Sequence, residues 1–410
     1  VLATAAPDAI ALSDPAFWVR ADRERAFATL RRERPVSLQP EPATPWNPAG
    51  GRGYWAVTRF EDVRALSRDT RRFASGLGTE IADQPLDVVR TFGGMLNMDD
   101  PEHRRLRALV SKPFTPPAIE HLAARARQEA RELLAAVAPR GECDLMTDVL
   151  GLYPAQIICH MMGVPRAQRA EMIRLTGIAL GPTYGLGSSY DAVLELVEMT
   201  AALARRRRED PREDLLTQLT HATVEGDRLS DREVGVFATL LCTAGIETTS
   251  TALAQGMVAM DRHPAQRERW QADFAALAPA AVEEIVRWST PVMQFRRTAT
   301  EDVELAGQTI AAGDKVVLWY WSANRDETVF DRPDELDFAR PSNRHVAFGG
   351  GGPHFCLGAH LARMEMTIMY EELFGLLPDV QLAAPPQLMQ SSFVNGVLSL
   401  PVRFTPRAVA

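Results

Sequence analysis

Lysine is almost absent from this 410-residue chain. Only Lys112 and Lys315 occur, so nearly all of the 45 basic side chains are guanidinium groups. Arginine suits bidentate pairing with carboxylates, and codon bias accounts for the same excess. Surplus positive charge is lacking too: 53 acidic side chains leave a net charge of −8. That balance argues against a general nucleic-acid binder, which needs Lys and Arg clustered against phosphates. Cysteine is scarce. Cys143, Cys159, Cys242 and Cys356 lie far apart with no CxxC pair, which excludes a zinc ribbon or dithiol redox motif and fits a reducing compartment. No basic, apolar and small-residue leader is found between Val1 and Ala11, so a cytoplasmic protein is expected. Repeats are absent, and the Pro-rich stretch Pro35 to Gly53 reads as a loop too near the start to divide the chain into domains. Residues 1–410 are read as a single domain, expected to be a monomer.

What is present fits a large folded chain. Hydrophobic residues make up 46% and charged residues 24%, ordinary for a globular protein, and the length leaves room for a buried cofactor. Ile119, Leu122, Ala126, Ala130, Leu133, Leu134 and Val137 recur at helical spacing. Similar patterns predict helices over Pro15 to Glu33, Glu61 to Arg68, Pro101 to Ser111, Tyr190 to Arg208 and Gly358 to Leu376. The run Arg205 to Arg208 meets Glu209, Asp210, Glu213 and Asp214 at once, as a solvated helix end does. Strands are fewer: Gly53 to Phe60, Val303 to Leu305, Gln308 to Ile310, Lys315 to Ser322 and Gly396 to Phe404. The expected fold class is mainly α with a minor β part.

The longest apolar run, Val234 to Met260, has the length of a membrane span. Glu247 stands inside it beside Thr248, Thr249, Ser250 and Thr251, and neither flank carries interfacial anchors. It reads as a helix buried in protein, with no membrane span expected. Ser230 and Glu233 have capping-box spacing at its start and His263-Pro264 supplies the stop. From Asp231 to His263 such a helix is about 50 Å long.

The segment Phe348-Gly-Gly-Gly-Gly-Pro-His354-Phe-Cys356-Leu-Gly358 precedes a predicted helix. Its glycines let backbone approach something flat and bulky, and a helix N-terminus stabilises a nearby thiolate. A buried cysteine beside a turn is the plain alternative; a phosphate loop is disfavoured because no GK[ST] follows. The segment resembles the haem-thiolate loop of the cytochrome P-450 family, with Cys356 in the place of the iron ligand. Other family signatures stand in the same order. Glu284-Ile-Val-Arg287 matches E-x-x-R, and Arg340 matches the arginine completing that ion network. Ala244-Gly-Ile-Glu247-Thr248 matches the oxygen-activation segment; His103 and Arg107, Arg297 and His354 match the haem-propionate partners, with Arg297 preferred to Arg296. Phe348 and Gly358 complete the cofactor loop, and Ala244 faces the cofactor.

The resemblance covers the whole chain and implies haem b with a cysteine thiolate on iron, which favours O–O cleavage. It assigns proton relay to Glu247 and Thr248. A carboxylate inside an apolar helix is costly without work or a partner, and Thr248 is placed to bond the carbonyl of Ala244 four residues back. Glu284, Arg287 and Arg340 are assigned to folding and loop support. The three other cysteines read as small core residues. Phe348 lies eight residues before Cys356 where the family's common loop has seven. That departure, together with the stretches Phe295-Arg-Arg-Thr-Ala-Thr-Glu-Asp-Val-Glu-Leu and Trp319-Tyr-Trp-Ser-Ala-Asn-Arg-Asp, is similar to actinobacterial members oxidising sterol side chains and methyl-branched lipids. Substrate-facing candidates by homologous position are Met98 in the loop Gly76 to Met98, Gly181 to Ser189, Val292, Met293, Phe295 and Val394, with Ala244 and Thr248. They are apolar or small, which suits a hydrophobic small molecule.

The expected activity is hydroxylation of a sterol, terpenoid or branched lipid, using O2 and electrons from a ferredoxin and its reductase. The donor would dock above Cys356 near Arg344 and Arg363. Tailoring of a macrolide-like or aromatic metabolite by hydroxylation, epoxidation or coupling remains an alternative, while Glu247 and Thr248 argue against peroxide-driven oxidation. A haem protein that binds ligands without turnover is a further one.

Overall fold

The computed structural model describes residues 10–20, 22–180, 186–224 and 226–408. Helix accounts for 54% of the chain and strand for 11%, the mainly α class with a minor β part. The chain forms two compact units. One comprises the residues up to Asp99, Glu283–Cys356 and Leu388–Gly396; the other comprises Asp100–Val282, Leu357–Gln387 and the residues from Val397.

The first unit is organised by a five-stranded sheet. Its strands are β1 (Val36–Gln39), β2 (Tyr54–Val57), β3 (Phe73–Ala74), β4 (Phe295–Ala299) and β5 (Lys315–Leu318), in the order β1-β2-β5-β4-β3. β2 and β5 pair in parallel with Trp55 opposite Val316, while the other pairs are antiparallel. Every residue of β5 is buried, because both faces of the sheet are covered, and such strands read as continuous apolar runs. Alternation sorts the side chains. Val57, Val316 and Leu318 join Phe60, Phe73 and Phe330 in one cluster. Ala56, Tyr54 and Val317 join Trp18, Phe27, Trp319 and Trp321 in the other.

The second unit is built around the helix Asp231–Arg262. Ser230 and Glu233 form the expected capping box, and the His263 N–H closes the far end on the Ala259 carbonyl at 3.1 Å. From Thr249 to Met260 every residue is buried, as in a helix enclosed by protein on all sides. Length and apolarity alone would let this helix cross a membrane, yet 61% of its most apolar window is buried inside the protein. The helix Leu186–Glu209 lies against it. Gly235 permits that approach, since a Cβ there would stand 2.8 Å from the Val197 carbonyl, and Thr200 Oγ1 donates to the Gly235 carbonyl at 3.0 Å. On another side, Tyr370 of the helix Ala359–Leu376 donates to the Leu253 carbonyl at 2.8 Å.

Several local expectations are corrected. Pro15 to Glu33 is a 3-10 turn (Pro15–Val19) capped by Asp14, followed by a separate helix Arg23–Glu33. The pattern from Ile119 divides into Pro116–Glu120 and Ala123–Val137. Pro35 to Gly53 contains β1, whose edge position leaves Leu38 exposed and masks the apolar alternation. Lys315 to Ser322 ends as a strand at Leu318, and Tyr320–Ala323 turn helically. Gly396 to Phe404 is two short strands, Val397–Ser399 and Pro401–Arg403.

Candidate functional site

The glycine loop belongs to the first unit. The Cys356 N–H donates to the Phe348 carbonyl at 2.9 Å, and Phe355 N–H reaches Gly352 at 3.2 Å. Gly349, Gly351 and Gly352 hold φ of 98°, 93° and 84°, a region open to glycine at little cost. The loop lies on the end of the helix Phe60–Arg68. Ser67 Oγ donates to the Gly351 carbonyl and Arg68 Nε to the Gly350 carbonyl, each at 3.1 Å. A Cβ on Gly350 would stand 2.7 Å from Ser67 Cβ. None of the four cysteines is in a disulfide. Cys356 is exposed while the others are buried, and burial pushes the thiols of Cys143 and Cys159 up to about 12 and 11. Gly358 caps the helix Ala359–Leu376 two residues beyond Cys356.

The two neighbouring arginines on β4 have different employment. Arg296 donates to Asp83 at 2.7 Å and to Thr298 at 3.3 Å. Arg297 is equally buried, yet its Nη1 reaches only the Arg296 carbonyl at 2.8 Å, and its Nε is left without a hydrogen bond. No carboxylate among the described residues pairs with it. A buried guanidinium needs an anion, so the arrangement favours Arg297 over Arg296 as a carboxylate receptor. His354 Nε2 lies 3.3 Å from Ser75 Oγ.

Glu284, Arg287 and Arg340 come together as the sequence implies. Glu284 accepts two bonds at 2.8 Å from Arg287, others from Arg340 at 3.1–3.2 Å, and one from Asn343 at 3.0 Å. Arg287 also donates to the carbonyls of Asn324 and Pro333 at 2.8 Å, so the motif ties the segment ahead of the Cys loop to its helix.

Of the substrate candidates, Val292 and Val394 form an antiparallel bridge. Phe295 meets Phe393 with ring centroids 5.5 Å apart, and Met98 is half-buried. Met293 is fully buried in the tryptophan-rich cluster, with its backbone held by Phe393 and Trp321. Residues 181–185 of the segment Gly181 to Ser189 lie outside the described residues.

In the second unit, His103 and Arg107 occupy one face of the helix Glu102–Val110. His103 is buried, with Nδ1 3.8 Å from Asp100. On the long helix, Ala244 is exposed and Glu247 and Thr248 are half-buried, directly before the fully buried stretch that begins at Thr249. Spacing of three and four residues puts all three on one face. Thr248 Oγ1 donates to the Ala244 carbonyl at 2.6 Å without interrupting the helix. Burial raises the Glu247 carboxyl above its ordinary value, offset in part by the Thr251 hydroxyl. One buried acid escaped the sequence reading. Glu365, on the helix Ala359–Leu376, is pushed well above the usual carboxylate range by burial, with Thr249 as its offsetting neighbour. Its signal was a lone acid between two methionines.

Within the first unit, an exposed cysteine in a glycine loop and a buried arginine with no carboxylate partner among the described residues are features that a haem-thiolate protein needs. The sequence profile of the cytochrome P-450 family matches residues 188–375. The chain is 44% identical to a methyl-branched lipid omega-hydroxylase of Mycobacterium tuberculosis, over 95% of this chain and 93% of that one. It is 35% identical to a steroid C26-monooxygenase of Rhodococcus jostii, over 97% and 85%. Among solved structures, a Mycobacterium marinum cytochrome P-450 in complex with pseudoionone superposes with TM-score 0.90 at 38% identity, covering 98% of this chain and all of that one. The chain belongs to the cytochrome P-450 family. It is an oxidoreductase of the monooxygenase type, and the family's cofactor is haem held through a cysteine thiolate. The residues present fit that group: an exposed sulfur in a glycine loop and an orphaned buried Nε on Arg297.

Proposed function

We propose that this monooxygenase hydroxylates a methyl-branched lipid or a steroid side chain, with Cys356 as the haem ligand. The observation that carries the assignment is Cys356 itself, the exposed cysteine, set in a glycine loop clamped to a helix end. The activities named for the relatives support the substrate class. Haem bound through a thiolate supplies activation of dioxygen for oxygen insertion into an unactivated C–H bond.

The protein's own residues do the remainder. Arg297, His354, His103 and Arg107 would pair the propionates of a bound haem, and Phe348, Gly358 and Ala244 would border it. Glu247 holds a proton more firmly than an ordinary carboxyl and passes it along the face it shares with Thr248. Thr248, whose own proton is engaged by the Ala244 carbonyl, offers its oxygen as acceptor and orients the donor. Glu284, Arg287 and Arg340 keep the segment ahead of the loop in place. Met98, Val292, Met293, Phe295 and Val394 contribute the apolar wall that positions substrate, Met293 through the backbone it fixes. Electrons come from a ferredoxin and its reductase in the cytoplasm, to a monomer.

The test is a spin-state titration of the haem-loaded protein with branched fatty acids, cholesterol-like steroids and macrolides, followed by product analysis with a ferredoxin system. Branched lipid or steroid should give the tightest shift and a hydroxylated terminal carbon. Tight binding confined to macrolides would overturn the substrate assignment.

A further inference from the structure

Two adjacent acids on the helix Phe274–Ser289 engage two side chains of the segment that leads into the cysteine loop. Glu284 accepts from Asn343 Nδ2 at 3.0 Å, which extends the network of Arg287 and Arg340. Glu283 makes a second pair, its Oε2 lying 3.1 Å from Nε2 of His345, whose side chain is 3% exposed. On the other edge of the imidazole, the Ala347 N–H donates to Nδ1 at 3.3 Å. The ring also packs on Phe348, with centroids 5.6 Å apart, and it is the Phe348 carbonyl that receives the Cys356 N–H at 2.9 Å. All of these residues belong to the first unit.

Donor inventory fixes the state of the imidazole. A backbone N–H only donates, so Nδ1 carries no proton and accepts; the ring proton is then on Nε2, directed at the Glu283 carboxylate. Glu283 thereby selects the tautomer that Ala347 needs, since the partner of one ring nitrogen sets the role of the other. Filling space does not require this arrangement. An apolar side chain of similar size would occupy the site without desolvating an imidazole and a carboxylate, but it has no acceptor for the Ala347 N–H. The backbone on either side is held in the same way: the Val346 N–H goes to Asn324 Oδ1 at 2.7 Å, and the Gly349 N–H to the Val346 carbonyl at 2.9 Å.

We propose that His345 and Glu283 are positioning residues for the cysteine loop: through Nδ1 the pair holds the backbone of Ala347 and Phe348 where the Phe348 carbonyl anchors the Cys356 N–H. This rests on the assignment of Cys356 as iron ligand. Partners beyond the ligand itself orient a metal-binding side chain and tune its bond. The four glycines that follow Phe348 supply no side chain to restrain the loop, so its geometry depends on how Phe348 is set at the entrance. Removing the Nδ1 acceptor leaves the Ala347 N–H without its partner and unfastens the carbonyl that holds the cysteine backbone. Removing only the contact to Glu283 does less, provided an acceptor for Ala347 remains.

The experiment compares haem-loaded wild type with His345→Leu, His345→Gln, His345→Asn and Glu283→Gln. The amide oxygen of Asn can stand where Nδ1 stands, whereas Gln reaches the position of Nε2 and leaves Ala347 unserved. Readouts are the fraction of reduced carbonyl complex that lacks the thiolate-type Soret band, amide exchange of the loop peptide, and the urea midpoint. His345→Leu and His345→Gln should raise that fraction at least about threefold and speed exchange at Ala347. His345→Asn and Glu283→Gln, in which an acceptor remains at each place, should stay at the wild-type fraction. A wild-type fraction in His345→Leu, a His345→Asn variant as defective as His345→Leu, or a fraction that merely follows the urea midpoint across the set would overturn the proposal. The wild-type spectrum separates this from the underlying assignment: absence of the thiolate band there sinks the Cys356 ligand, whereas a normal band that none of the variants alters sinks only the positioning pair.

Discussion

Thr248 Oγ1 donates to the carbonyl of Ala244 at 2.6 Å, spanning one turn of the long helix just before its fully buried stretch from Thr249 to Met260. The hydroxyl thereby satisfies its proton within the helix and keeps lone pairs for accepting, while the preceding residue, Glu247, has a carboxyl whose pKa is raised by burial. A side chain engaged this way contributes little to stability, since i−4 back-bonding is neutral to slightly unfavourable in helices.

Thr248→Ala should accordingly change unfolding free energy by no more than about 1 kcal/mol, while product formed per electron consumed falls severalfold and hydrogen peroxide rises. Thr248→Ser should retain most of the coupling. Product and peroxide yields per reductant, set beside urea unfolding, separate the two effects; full coupling in the alanine variant would remove Thr248 from the relay.

Lys315 is one of the two lysines and is buried between Glu41 at 2.5 Å and Asp83 at 2.7 Å, with Arg296 on the other side of Asp83. Two cations face two carboxylates. Lys112 is exposed. An amine-acylating reagent should modify Lys112 readily and spare Lys315. Asp83→Asn leaves the cations one charge short of partners, so Lys315 should become reactive. The cost should be about 1–2 kcal/mol, below that of a fully buried pair because Asp83 is half-exposed. Mass spectrometry of the two peptides decides it.

Glu365 supplies the pH dependence. Burial raises its folded-state pKa above the ordinary 4.5, so between those values the native state binds more protons than the unfolded state. Stability is then greatest below the ordinary value and declines as pH rises towards the folded pKa. Glu365→Gln removes the titration, and its stability should fall less than that of wild type over the same window. Thermal midpoints from pH 4.5 upward give the comparison, and parallel curves would exclude Glu365 as the source.

Gly350→Ala places a methyl group against Ser67 Cβ and within 3.1 Å of Arg64 Cα. The loop must lift from the helix end, and haem retention should fall at least about tenfold. Gly350 is not held at positive φ, so the cost of its replacement is steric; Gly307→Ala, at φ 77°, brings backbone strain with nothing within 4 Å of its Cβ. Haem retention should be unaltered there, which makes it the control for backbone strain alone.

Legibility from sequence followed the range of the interactions. The capping box of Ser230 and Glu233 and the stop at His263 were readable because they are local, and so were the E-x-x-R pair and the Thr248 bond. The edge strand Val36–Gln39 was missed because Leu38 points outward and prolines flank it. The aromatic run after β5 looked like strand because β-propensity rewards Trp and Tyr, while the turn at Tyr320–Ala323 is set by packing among distant tryptophans. The preference for Arg297 over Arg296 was already carried by the family resemblance, but its physical reason needed the partners: Asp83 is more than 200 residues from Arg296 in sequence. Ser67 and Glu365 carry no motif, and only the folded chain shows what they touch.

The assignment on which everything else depends is Cys356 as the iron ligand. The decisive measurement is the absorption spectrum of the reduced carbonyl complex in wild type and Cys356→Ser, with Cys143→Ser, Cys159→Ser and Cys242→Ser alongside. The account predicts a thiolate-type red-shifted Soret band in wild type and in the three buried-cysteine variants, and its loss in Cys356→Ser alone. A band that survives Cys356→Ser, or that disappears with one of the buried cysteines instead, would contradict it.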